Sequence, residues 1–157
     1  MPHAAAADTV TLTWHEVAMA AEVGKLRYLS AIKHNRRGRP GYEGGRWTEH
    51  IEGAAGEYAL AKFLGIHWDG SVDAFQRADV GRLEVRTRSR HDWDLIVRQD
   101  DADDSPFVLV TGQAPEYRVR GWIRGGEAKR PEWLRDHGHH GPAWFVPAAA
   151  LRDIETK

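Results

Sequence analysis

Apolar positions recur at helical spacing twice in the first 65 residues, and after residue 80 the pattern shifts to alternation. Trp14, Val17, Ala18, Ala21, Leu26 and Leu29 predict a helix from Trp14 to about Lys33, with Gly24 as its weak point. Thr13 and Glu16 have the spacing of a capping box at its start. Ala54, Ala55, Ala59, Leu60, Ala61 and Leu64 predict a second helix, capped by Thr48 and stopped by Gly65. Strands are expected at Glu84 to Arg88, around Leu95 to Val97, at Phe107 to Thr111 and at Tyr117 to Ile123. In the last of these, Tyr117, Val119 and Gly121 should share one face, with Arg118, Arg120 and Trp122 on the other. Glu127 to Leu134 reads as a short helix limited by Pro131, Trp144 to Pro147 as an edge strand, and Ala148 to Ile154 as a closing helical turn. Residues 1 to 10 read as a leader without structure. The fold expected is α/β, a central mixed, antiparallel-rich sheet flanked by helices.

Length and charge narrow the setting. The 157 residues suit a single domain, with residues 1–40 as an N-terminal helix and basic loop packed on a core of residues 41–157. No apolar run reaches membrane-spanning length, and there is no signal-peptide pattern, so a cytoplasmic protein is expected. The absence of cysteine excludes disulfides and thiolate metal sites. The net charge of −1 means that any contact with a polyanion must use a local basic patch. Lys33, Arg36, Arg37 and Arg39 supply one at the end of the first helix, with Arg88 further on. Such a loop can track phosphates or simply be solvated.

The stretch Ala78 to Arg88 carries the densest chemistry. Glu84 and Arg86 should point the same way from a strand, and a tight turn over Val80 to Arg82 would bring Asp79 to that face. Two converging carboxylates form a hard-oxygen site suited to Mg²⁺ or Mn²⁺, with the Val85 carbonyl as a third oxygen. Arg86 could then bind a phosphate oxygen. Glu57 lies seven positions after His50 on nearly the same helical direction, with the small residues Gly53 and Ala54 between them. Close approach of that face to the sheet would bring Glu57 to the acids.

Asp79, Glu84 and Arg86, with Glu57 on the preceding helix, resemble the signature of the PD-(D/E)XK nuclease superfamily, most closely its small phage and prophage members. The resemblance spans about residues 48 to 147. It departs from the pattern where the usual lysine is Arg86 and the usual proline is Ala78. It implies a restriction-endonuclease-like core and metal-dependent hydrolysis of DNA phosphodiesters, with Glu57, Asp79, Glu84 and Arg86 catalytic. Asp79, Glu84, Val85 and Glu57 would hold Mg²⁺ or Mn²⁺. The implied partner is DNA, with RNA as an alternative, and cutting two strands would favour a homodimer. Arginine stays protonated and cannot act as a general base. The alternative is therefore a catalytically silent nuclease-fold module that binds nucleic acid or protein, with Arg86 in an ion pair.

Two other clusters carry metal-ligating residue types. Asp100 to Asp104 lacks the glycine and distal glutamate of a calcium loop and reads as a solvated turn. His137, His139 and His140 lie in a glycine-rich stretch without metal-ligand spacing and read as surface histidines.

Overall fold

The computed structural model describes residues 8–35, 45–72, 78–137 and 141–155. In chain order its elements are β1 (Thr9–Thr11), α1 (Trp14–Lys33), α2 (Arg46–Leu64), β2 (Glu84–Arg88), β3 (Leu95–Val97), β4 (Pro106–Gln113), β5 (Glu116–Arg124), α3 (Gly125–Ala128), β6 (Leu134–Asp136) and β7 (Pro142–Val146). The fold is α/β, and the described residues form a mixed four-stranded sheet, an antiparallel three-stranded sheet and three helices.

Strand β4 forms the centre. Its residues Phe107 to Gly112 are all buried, which a strand covered on both faces requires. It pairs antiparallel with β5 and parallel with β2, giving the order β1-β5-β4-β2. Val108 and Val110 face α2 in a core that includes Val85, Leu60, Tyr117 and Val119. Phe107 and Leu109 face the other way, into a second core with Ile123 of β5 and with Leu95, Val97 and Val146 of the sheet β3-β7-β6.

Helices α1 and α2 form an antiparallel hairpin. The capping box at Thr13 and Glu16 is present, with reciprocal bonds of 2.7 and 3.2 Å. Lys62 near the end of α2 reaches Glu16 at 2.7 Å, joining the start of α1 to the end of α2. Gly24, the expected weak point, is where α1 lies close against the backbone of α2. A methyl group there would lie 2.5 Å from the Ile51 Cα. Gly65 ends α2 in the left-handed conformation (φ +68°), as its position at the helix C-terminus predicts.

Several expectations are corrected. Helix α2 starts at Arg46 with Gly45 as its cap, so Thr48 is inside the helix. The end of the expected leader is β1, which pairs with β5. The helix expected from Glu127 to Leu134 divides into the four-residue α3, a 3-10 turn at Pro131–Trp133 and strand β6. The closing turn is a 3-10 turn over Ala148–Ala150 only, after which Arg152 pairs with Trp122.

The even alternation expected along β5 is broken by a bulge. Leu109 lies opposite Gly121 and Val110 opposite Val119, so Arg120 is the extra residue. Tyr117 and Val119 therefore face α2, whereas Ile123 joins the opposite core and Trp122 packs towards α2.

Candidate functional site

The approach of α2 to the sheet is set by Gly56, where any Cβ would collide with the Thr87 side chain of β2. Gly53, the small residue singled out from the sequence, borders open space. The close contact buries the next residue, Glu57, to 6% exposure. Its carboxylate accepts from Arg27 of α1 at both oxygens, 2.5 Å at Oε2 and 3.0 Å at Oε1. The indole N–H of Trp68 points at Oε1 from 3.4 Å. Arg27 completes its own set by donating from Nε to the Ser71 carbonyl at 2.9 Å.

Burial pushes the Glu57 carboxyl up to about 7, and the nearby negative charge of Asp79 adds to the rise. The Arg27 hydrogen bonds act against it.

The tight turn before β2 is present: Val80 and Leu83 exchange backbone hydrogen bonds around Gly81, whose φ is +58°. It brings Asp79 back to the start of β2, where its Oδ2 accepts from the Val85 amide at 2.8 Å. Asp79 also lines an open cleft of about 420 Å³ with His67, Trp68, Asp69, Ala78, Val80 and Gly81.

Strand alternation separates this corner from the motif cation. Val85 packs into the α2 core and Thr87 meets Gly56, so Glu84, Arg86 and Arg88 lie on the opposite face of β2. Glu84 is half-buried at the strand's start. The Arg86 guanidinium is bound by Asp101 at 2.6 Å, donates from Nε to the Ile96 carbonyl at 3.3 Å and lies 5.0 Å over the Phe107 ring. Arg88 donates to the Asp94 carbonyl at 2.9 Å and covers the Trp93 ring at 4.7 Å.

Arg86 and Arg88, two residues apart, meet carbonyls at 96 and 94, also two apart and running the other way. They form a side-chain seam between β2 and β3, which belong to different sheets.

Metal binding needs several oxygens free to converge. Both Glu57 oxygens are engaged, and Asp79 spends one on Val85. Among the described residues no group of three or more His, Asp or Glu side chains is placed to hold a metal ion. The residues as arranged therefore do not fit Mg²⁺ or Mn²⁺.

Of the residues read as contacting nucleic acid, Lys33 is the exposed last residue of α1, and Arg88 belongs to the seam. Arg36, Arg37 and Arg39 lie outside the described residues, as do His139 and His140. His137 makes an edge contact with Phe145, with ring centroids 5.0 Å apart.

Arg27, Trp68 and Asp101 were missed in the sequence. The acid that binds Arg27 lies 30 residues away, out of reach of any local pattern. Asp101 was hidden in a turn that reads as solvated, although it also accepts from the Arg98 amide at 2.7 Å. The signal available was the charge balance: an acidic turn following soon after an arginine-bearing strand.

Compared with known proteins, the chain matches no family model, no curated protein and no solved structure.

Proposed function

We propose that the chain is a nucleic-acid-binding module on a nuclease-like scaffold, without turnover in the arrangement described. The observation that carries this reading is the closure of both motif ends. Arg86 is held by Asp101 and the Ile96 carbonyl, and Glu57 by Arg27. A cation so placed cannot stabilise charge on a phosphate beside Asp79, because electrostatic catalysis requires the group to face the developing charge.

Two exposed cation–aromatic surfaces support binding. Trp93 is 39% exposed, with Arg88 and Arg90 4.7 and 5.7 Å from its ring centre. Trp47, 47% exposed, meets Tyr28 edge-on, and Arg46 lies 5.3 Å from the Tyr28 ring. An exposed aromatic face offers stacking for an unpaired base; Arg88 and Arg90 are engaged by the Asp94 carbonyl and the Asp92 carboxylate, so a phosphate would have to compete with these partners. DNA is the first ligand to test and RNA the second. No helix among the described residues is long and apolar enough to cross a membrane.

A metal-dependent DNA endonuclease is the second reading. It is favoured by the placing of Asp79 in the wall of the cleft, at the turn that leads into β2. It requires Arg27 to release Glu57 and Arg86 to leave Asp101.

The deciding experiment incubates the protein with supercoiled plasmid, single-stranded DNA and RNA, with and without Mg²⁺ or Mn²⁺. Gel-shift binding is measured in parallel, and Glu84→Ala and Arg86→Lys variants are included. Binding that weakens with salt, with no cutting by the native protein, is the expected result. Metal-dependent cutting that is lost in Glu84→Ala would establish the second reading instead. Failure to bind or cut any of the substrates would remove both.

A further inference from the structure

Of the nine large hydrophobic side chains exposed among the described residues, five belong to α1: Trp14, Met19, Leu26, Leu29 and Ile32. Their exposures run from 42% to 74%. The helix already buries its other side, including Ala20, Gly24 and Ala31, with Gly24 against Ile51 of α2. An amphipathic helix normally leaves a polar face in water, whereas the outward face of α1 mixes these apolar side chains with His15, Glu22 and Lys25.

The stripe has an internal order. At 100° per residue, His15, Ala18, Glu22, Lys25, Leu29 and Ile32 form a seam with steps of three and four, the spacing of facing positions in a helix pair. Trp14, five whole turns before Ile32, shares its direction, and Met19 and Leu26 flank the seam on one side.

The two charges in the middle of the seam, Glu22 and Lys25, have opposite signs and form an exposed ion pair at 2.9 Å within the helix. Around a two-fold axis midway between them, Glu22 faces Lys25 of a second copy. The same axis sets Ala18 against Leu29 and His15 against Ile32. Each contact then occurs twice, which is the condition for an isologous interface. The charge pattern is therefore complementary to itself in one antiparallel register.

We propose that α1 is a self-association surface, through which two copies of this chain pair antiparallel with Glu22 and Lys25 reciprocally matched. The partner is a second copy because the seam's charges complement their own two-fold image. A polar pair at the centre of a helix seam fixes register and orientation at some cost in affinity. One helix pair is a small interface, so the association is weak and reversible, with dimer growing in over the micromolar range. This surface is separate from Glu57, Asp79 and Arg86 and does not depend on whether the chain binds or cleaves nucleic acid.

Sedimentation equilibrium over a hundredfold range of concentration tests the proposal on four proteins: native, Glu22→Lys, Lys25→Glu, and the double exchange of both. The native chain should dimerise. Each single variant sets like charges opposite each other twice and should weaken dimerisation by at least tenfold. The double exchange should restore it. A fifth protein, Leu29→Glu, should stay monomeric.

Circular dichroism keeps loss of the helix distinct from loss of pairing. The intrahelical pair is worth only about 0.2–0.5 kcal/mol, so the single variants should remain folded. A native chain that is monomeric throughout would overturn the proposal. So would a dimer indifferent to both single variants, or a double exchange that fails to recover. A stripe that serves a different protein would give the monomeric outcome.

Discussion

The Glu57 carboxylate and the Arg27 guanidinium, 30 residues apart in the chain, form a two-point ion pair between α2 and α1. Glu57 is buried and the Arg27 side chain is 21% exposed, so the pair sits at the inner edge of the helix hairpin. Removing one partner strands the other charge in a place that water reaches poorly.

Glu57→Ala should destabilise the protein by about 3 kcal/mol, because Arg27 loses both hydrogen bonds while its charge stays partly buried. Glu57→Gln keeps acceptors for Arg27 and Trp68 and should cost less. Urea denaturation of both variants at one pH checks the order; a milder alanine variant would contradict the assigned role.

The same residue gives a pH signature. Its folded pKa, pushed up to about 7, lies above the ordinary 4.5, so the folded chain holds the proton more tightly than the unfolded chain. Stability from this group is full below 4.5 and declines as pH rises towards 7, where the charged form must be buried. Thermal melts at half-unit steps from pH 4.5 to 7.5 should show the decline in the native protein. The slope should be flatter in Glu57→Gln.

Arg86→Lys should lower stability by about 1–3 kcal/mol, since an ammonium cannot reproduce the fork that joins Asp101 to the Ile96 carbonyl. A double-mutant cycle with Arg86→Ala and Asp101→Ala should give a coupling of about 1–3 kcal/mol. Additive single effects would show that the seam between the sheets contributes nothing. If the lysine variant gained metal-dependent cutting, the position would be catalytic after all.

Gly53 and Gly56 stand one turn apart on α2 and should respond in opposite directions. Gly53→Ala meets nothing within 4 Å and should stabilise by about 0.5–1 kcal/mol through helix propensity. Gly56→Ala drives a methyl into Thr87 and should cost about 1–3 kcal/mol, with partial relief from Thr87→Ala. Chemical denaturation of the two single variants and the double reads out both effects.

What the sequence determined by itself is local in origin. The capping box at Thr13 and Glu16, the stop at Gly65, the turn at Gly81 and the burial of β4 follow from hydrogen-bonding and conformational preferences that act within a few residues. The α/β class was legible for the same reason, because helical and strand periodicities are properties of short windows.

Tertiary structure decided the rest. The bulge at Arg120 changes which face of β5 the later residues use, and no local pattern announces an extra residue opposite a partner strand. The assignment of Arg86 to Asp101 depended on β3 lying beside β2, and that of Glu57 to Arg27 on two helices folding back together. A charged side chain shows its type in the sequence. Its partner is chosen only when packing brings distant segments within a few ångströms, because an unpaired charge in the interior is too costly to persist.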